Sequence, residues 1–135
     1  MIRQICIPLL MGVSLVFLAG SCKKDDPKPE VPSVVGFWSG KYGNSSTTYP
    51  TVGYAALFRA NGTVRFFDGS DTATAKKGEG AYTVSGNTVN ATYAYTPGSN
   101  YSVSSLSDAK FTFLEGTWGN GTNTTNGGRW FMNKK

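Results

Sequence analysis

A chain of 135 residues with no histidine, and with cysteine only at positions 6 and 22, cannot build a zinc site of the usual nitrogen and sulfur ligands in its later part. Ser–His–Asp and Cys–His nucleophile systems are excluded there for the same reason. Thirteen basic residues against eight acidic ones give a net charge of +5, but Lys41, Arg59, Arg65, Lys76, Lys77, Lys110, Arg129, Lys134 and Lys135 are scattered. Nucleic-acid binding calls for a clustered basic stripe, so no nucleic-acid partner is expected.

The chain opens on "MIRQ", then runs apolar from Ile5 to Leu18, then small through Ala19, Gly20 and Ser21 to Cys22. A basic start, a short apolar run and a small-residue site make a secretory signal. The run is shorter than the roughly 20 apolar residues of a membrane-spanning helix. "AGSC" resembles the lipobox of bacterial lipoproteins. That resemblance implies cleavage before Cys22, with lipid attached to Cys22 and the membrane as its partner through that anchor. Residues 1–21 are then the signal peptide. Cys6 leaves with it, and Cys22 has no disulfide partner in the mature chain. Residues 22–33, "CKKDDPKPEVPS", are charged and Pro-rich and read as a disordered tether. "CKKDD" is also similar to the start of many Bacteroidetes lipoproteins, which implies the outer membrane and a position facing the cell surface.

Residues 34–135 then form one small domain. No stretch carries a helical apolar period, while short alternating runs recur between Gly, Asn, Ser and Thr, the pattern of an all-β fold. "VVGFWSGKY" (34–42) reads as the first strand and "TVGYAALFRA" (51–60) as the second, with Val52, Tyr54, Ala56 and Phe58 on one face. Asn61-Gly62 supplies two positive-φ residues for a tight hairpin, and "TVRFFD" (63–68) returns. "GSDTATAKKGEG" reads as a long flexible loop. "GAYTV" (80–84), "TVNATYAY" (88–95), "YSVSSL" (101–106), "KFTFLEGTWG" (110–119) and "RWFMN" (129–133) complete the set. Eight strands with short connections predict a small antiparallel up-and-down barrel, which removes the exposed edges of an open sheet.

"GFWSG" (36–40) and "GTWGNG" (116–121) echo each other. Each motif by itself is explained by a Gly-permitted bend and a Trp filling the end of the core. On the first strand, "GFWSG" resembles the Gly-x-Trp motif of lipocalins and their calycin relatives. The resemblance implies that Trp38 plugs the closed end and that a basic residue of the last strand, Arg129, crosses its face. The order of "VVGFWSGKY", "ANGTVRFFDG", "GAYTVSGNTVNATYAY" and "LEGTWGNGTN" is also similar to the small lipocalin-like domains of Bacteroidetes lipoproteins. The length, the missing disulfide and the missing C-terminal helix depart from true lipocalins and predict at most a small cavity.

The functional expectation is a binding module, not an enzyme, and no cofactor or metal is expected. Tyr54, Phe58, Phe66, Tyr82, Tyr93 and Tyr95 are the inward aromatics that would line a site for a small apolar ligand, or that would simply fill the barrel. The alternative is a surface module with a solid core that meets glycan or protein through exposed aromatic and polar loops, with "TYAYTPGSNY" (92–101) as the best stretch. Asp68, Asp71 and Glu79 lie close in sequence and could do acid–base work or hold calcium. Solvated acids balancing Lys76 and Lys77 are the more ordinary reading. "DTA" (71–73) resembles the acceptor pattern for Bacteroidetes O-glycosylation, at Thr72.

Overall fold

The structure, a computed structural model, describes residues 28–135. Cys22 and the expected signal peptide lie outside the described residues. The eight strands are β1 (Gly36–Gly43), β2 (Val52–Phe58), β3 (Thr63–Asp68), β4 (Lys76–Ser85), β5 (Thr88–Tyr95), β6 (Asn100–Ser107), β7 (Phe113–Asn120) and β8 (Gly128–Lys134). Each pairs antiparallel with its neighbours in sequence, and β1 pairs with β8, so the sheet is a closed barrel. The seam runs from Trp38 opposite Lys134 to Gly43 opposite Arg129.

Alternation decides which residues fill the interior. Trp38, Phe58, Val64, Phe66, Val89, Val103, Leu114, Trp130 and Met132 are all less than 2% exposed. Burying one such large apolar side chain contributes roughly 1.5–3 kcal/mol. Inward glycines stand beside the large side chains: Gly40 lies opposite Tyr54 and Met132, Gly80 opposite Val64 and Tyr93, and Gly116 opposite Ser105 and Trp130. Alternating small and large positions let a narrow barrel hold rings without overpacking. Every buried side-chain N or O atom among the described residues has a hydrogen-bond partner.

Three local expectations change. The β2–β3 turn has Gly62 alone at positive φ, +81°, while Asn61 keeps negative φ. Gly62 N–H donates to Arg59 O at 3.2 Å and Arg59 N–H to Thr63 O at 2.9 Å. That is the longer hairpin loop in which a turn is followed by one left-handed residue. The Asn61 side chain instead accepts from Thr63 N–H at 3.1 Å. β4 begins at Lys76 rather than Gly80, because Gly78 can lie flat against the Tyr93 ring, where an added Cβ would come within 2.8 Å. β7 begins at Phe113 rather than Lys110, because the Asp108 carboxylate gathers Thr112 N–H at 2.6 Å and Phe113 N–H at 3.0 Å into a tight turn. Phe111 sits in that turn at φ +52° with its ring buried.

Candidate functional site

The interior is full at one end and hollow at the other. At the closed end Trp38 is completely buried, and its indole N–H donates to Val34 O at 2.7 Å. The cation over its ring is Lys134, with Nζ 5.9 Å from the centroid and donating to Ser33 O at 2.7 Å. Arg129 does not fill this role. It lies opposite Gly43, at the far end of β1, and its side chain is exposed. Neighbouring residues on a strand point oppositely, and Trp130 takes the inward place. The basic residue that the resemblance implied is therefore present on the last strand, five positions later than expected. Gly36 suits it: φ is +134°, and an added Cβ would come within 3.0 Å of the Lys134 stem.

Phe58 packs edge-on against Trp38 at 6.3 Å, and Tyr82 packs edge-on against Phe58 at 5.1 Å while donating to Arg59 O at 2.8 Å. Both belong to the closed half. Phe66 is buried behind the hollow, stacked between Tyr54 at 5.4 Å and Tyr93 at 4.2 Å. Of the expected lining residues, Tyr54, Tyr93 and Tyr95 border the hollow, and Phe58, Phe66 and Tyr82 do not.

The hollow is a recess of about 210 Å³ at the open end, where Tyr42, Asn44, Asp68, Tyr101 and Trp118 complete the wall. The rings form a closed circuit. Trp118 meets Tyr42 at 6.0 Å, Tyr42 meets Tyr54 at 5.3 Å, and Phe66 links Tyr54 to Tyr93. Tyr93 meets Tyr95 at 5.6 Å, Tyr95 meets Tyr101 at 5.8 Å, and Tyr101 returns to Trp118 at 5.8 Å. Most of these contacts are edge-to-face, the favoured arrangement for rings with negative faces and positive edges.

Hydrogen bonds hold the rings in place. The Tyr54 and Tyr93 hydroxyls share one bond of 2.7 Å across the barrel. Trp118 N–H donates to Gly43 O at 3.0 Å. Tyr42 O–H donates to the Asp68 carboxylate at 3.0 Å. Burial raises the Tyr42 hydroxyl to about 12, and the Asp68 hydrogen bond and charge add to this. Burial likewise pushes Tyr54, Tyr93 and Tyr95 upward, and the Asp68 charge adds to each. The phenols therefore stay neutral at physiological pH.

The missed residues had a legible signal. Tyr42 shares its face with Trp38, and Asp68 shares its face with Phe66, so an acid at the end of an inward-facing row marked the mouth. The stretch 92–101 also turns out differently from a surface patch, since Tyr93, Tyr95 and Tyr101 face the recess.

The acids near the β3–β4 turn are kept apart. Glu79 pairs on the outer face with Arg65 and, at 3.2 Å, with Arg59. Asp71 accepts from Ala73 N–H at 3.0 Å and Thr74 O–H at 2.9 Å, which shapes the turn and holds its carboxyl below the usual range. Thr72 lies half-buried in that same turn. No cluster of three or more potential metal ligands occurs among the described residues.

No curated protein and no solved structure matches the chain. The family model for the lipocalin-like domain matches residues 34–113, more than half of the sequence, and with the closed eight-stranded barrel in view the chain belongs to that lipocalin-like family.

Proposed function

We propose that the chain is a lipid-anchored binding protein, without catalytic activity, whose barrel takes a small ligand in the open-end recess. The observation that carries this is the one-ended interior: a barrel packed solid around Trp38 retains a ring-lined hollow of about 210 Å³ at its other mouth. An engineered apolar cavity of about 150 Å³ suffices for benzene, and drug-sized sites run from about 300 Å³. The recess therefore suits a ligand of one ring or a short branched chain, with an apolar body and a polar group to meet the hydroxyls and Asp68.

The anchor reading rests on the apolar run ending in "AGSC". Residues 22–33 can reach on the order of 40 Å when extended. Of these, the described residues 28–33 lead into the barrel beside Val34, at the closed end. A chain anchored at Cys22 would thus be tied by the end opposite its recess; the "CKKDD" start is what supports the outer membrane, facing the cell surface, as its place. Thr72, in the turn before β4, is proposed as an O-glycosylation site on the weaker ground of its three-residue pattern.

Native mass spectrometry of the protein from its own host tests the ligand. A small-molecule adduct on the natural chain, lost in Tyr101→Ala, is expected. A bare mass, or an adduct kept unchanged in the variant, overturns the recess as the site. For the anchor, Cys22→Ser is expected to leave the membrane fraction, and persistent membrane association overturns it.

A further inference from the structure

The chemistry of the recess narrows the ligand further. Six of its eight lining residues are aromatic, and Asp68 is the one carboxylic acid among them, with no basic side chain beside it in the lining. Ring faces attract a cation placed within about 6 Å of the centroid, and more strongly where water is partly excluded. Tyrosines that remain neutral offer such faces without contributing a charge of their own. Asp68 ends β3 on the same face as Phe66, so its carboxylate stands at the mouth, where, among the described residues, its one donor is the Tyr42 hydroxyl. Asp68 lines the recess together with Tyr42, Tyr54, Tyr93 and Tyr95, and its charge adds to the burial that raises each of those hydroxyls.

One competing cation is nearby. Lys76 lies opposite Asp68 in the β3–β4 register. It makes no ion pair with Asp68 among the described residues, where the only salt bridges join Arg59 and Arg65 to Glu79. Lys77, the next residue, donates to Ala73 O at 3.2 Å in the β3–β4 turn. Among the described residues, the carboxylate at the mouth is thus left without a basic partner.

We infer that the recess binds a small organic cation, an ammonium group seated against the aromatic circuit with Asp68 as its counter-charge; this rests on reading the recess as a ligand site. A neutral sugar would also use the rings and would hydrogen-bond to the carboxylate, but it brings no positive charge to balance it.

The test is calorimetric titration of the full chain, in a polyoxyethylene detergent, with phenethylammonium, with its neutral counterpart phenethyl alcohol, and with methyl glucoside. Phenethylammonium is expected to bind at least tenfold more tightly than the alcohol. Asp68→Asn, which keeps the size of the side chain and an acceptor for Tyr42, is expected to remove that preference. Lys76→Gln is expected to strengthen ammonium binding. Raising the salt from 20 to 500 mM, a change of probe conditions of roughly fivefold in screening length, should weaken the ammonium and leave the alcohol unchanged. Equal affinities for ammonium and alcohol, or tighter binding of the glucoside, overturn the cation inference while leaving the recess as a ligand site. Absence of binding by all three probes also overturns it, and the adduct experiment then decides separately whether the recess is a site at all.

Discussion

Trp38 and Trp118 sit at opposite ends of one barrel. Trp38 is covered by Val34, Phe58 and the Lys134 stem and has no exposed surface. Trp118, held by its N–H to Gly43 O, remains half-exposed on the wall of the recess. Both ends are rich in aromatic residues, so ring content does not separate them. The connections do. Residues 59–62, 86–87 and 108–112 cross the closed end, with the buried Phe111 pressed in from the last of them, while the longer 44–51, 69–75 and 121–127, with the four-residue 96–99, surround the open one. Short loops and an incoming N-terminal segment cover a core, whereas long loops leave room for recognition. Stability should therefore concentrate at the Trp38 end and ligand response at the Trp118 end.

The sharpest way to break that comparison is Trp38→Ala. It removes a fully buried ring and the bond to Val34 O, and is expected to cost about 3–5 kcal/mol. Urea unfolding measures it. Trp118→Ala, half-exposed, should cost clearly less while abolishing ligand uptake; equal losses would contradict the division of labour. Gly36→Ala comes next. A residue with a Cβ at φ +134° is strained, and the Lys134 stem stands 3.0 Å from the new atom. A loss of about 1–3 kcal/mol is expected, with the cation displaced from the Trp38 face.

The fold was readable because alternation and turn residues repeat along the whole chain, and each inward row ends where a strand ends. The β4 start was hidden because Lys76–Gly80 carries two glycines and no apolar side chain, although its neighbours Tyr93 and Tyr95 supply the bulk. The recess was half legible. Tyr54, Tyr93 and Tyr95 announce themselves as inward aromatics, but Trp118 and Tyr42 meet only when β7 and β1 are brought together through closure. Lys134 rather than Arg129 over Trp38 is a matter of register, which a local pattern cannot set without its partner strand.

A smaller effect tests how the two halves are joined. The Tyr54–Tyr93 hydroxyl bond of 2.7 Å spans the barrel between two rings that both stack on Phe66. Tyr54→Phe leaves the Tyr93 hydroxyl without this partner in a buried place, and a loss of about 1–2 kcal/mol is expected. Adding Tyr93→Phe should recover part of that loss, because removing both partners costs less than orphaning one. A double variant as unstable as the sum of the singles would show that the two hydroxyls act independently.

The smallest expected effect is on the alkaline side, at the mouth itself. Tyr42 keeps its proton to about pH 12, whereas an unfolded tyrosine loses it near pH 10. Between those values the unfolded chain holds fewer protons than the native one, so stability falls as pH rises. The contribution is fully present below about pH 10 and is gone once pH passes about 12. Tyr42 is partly exposed, so solvent screening keeps its share small. Asp68→Asn sharpens the test. Burial is the largest cause of the Tyr42 shift, so the hydroxyl should still titrate above pH 10 in that variant, yet earlier than in the natural chain because the neighbouring charge is gone. Ultraviolet titration of tyrosinate in the natural chain, in Asp68→Asn and in Tyr42→Phe separates the two causes. An unchanged profile in Asp68→Asn would mean that the carboxylate does not reach the ring circuit, and the open end would then differ from the closed one only in being uncovered.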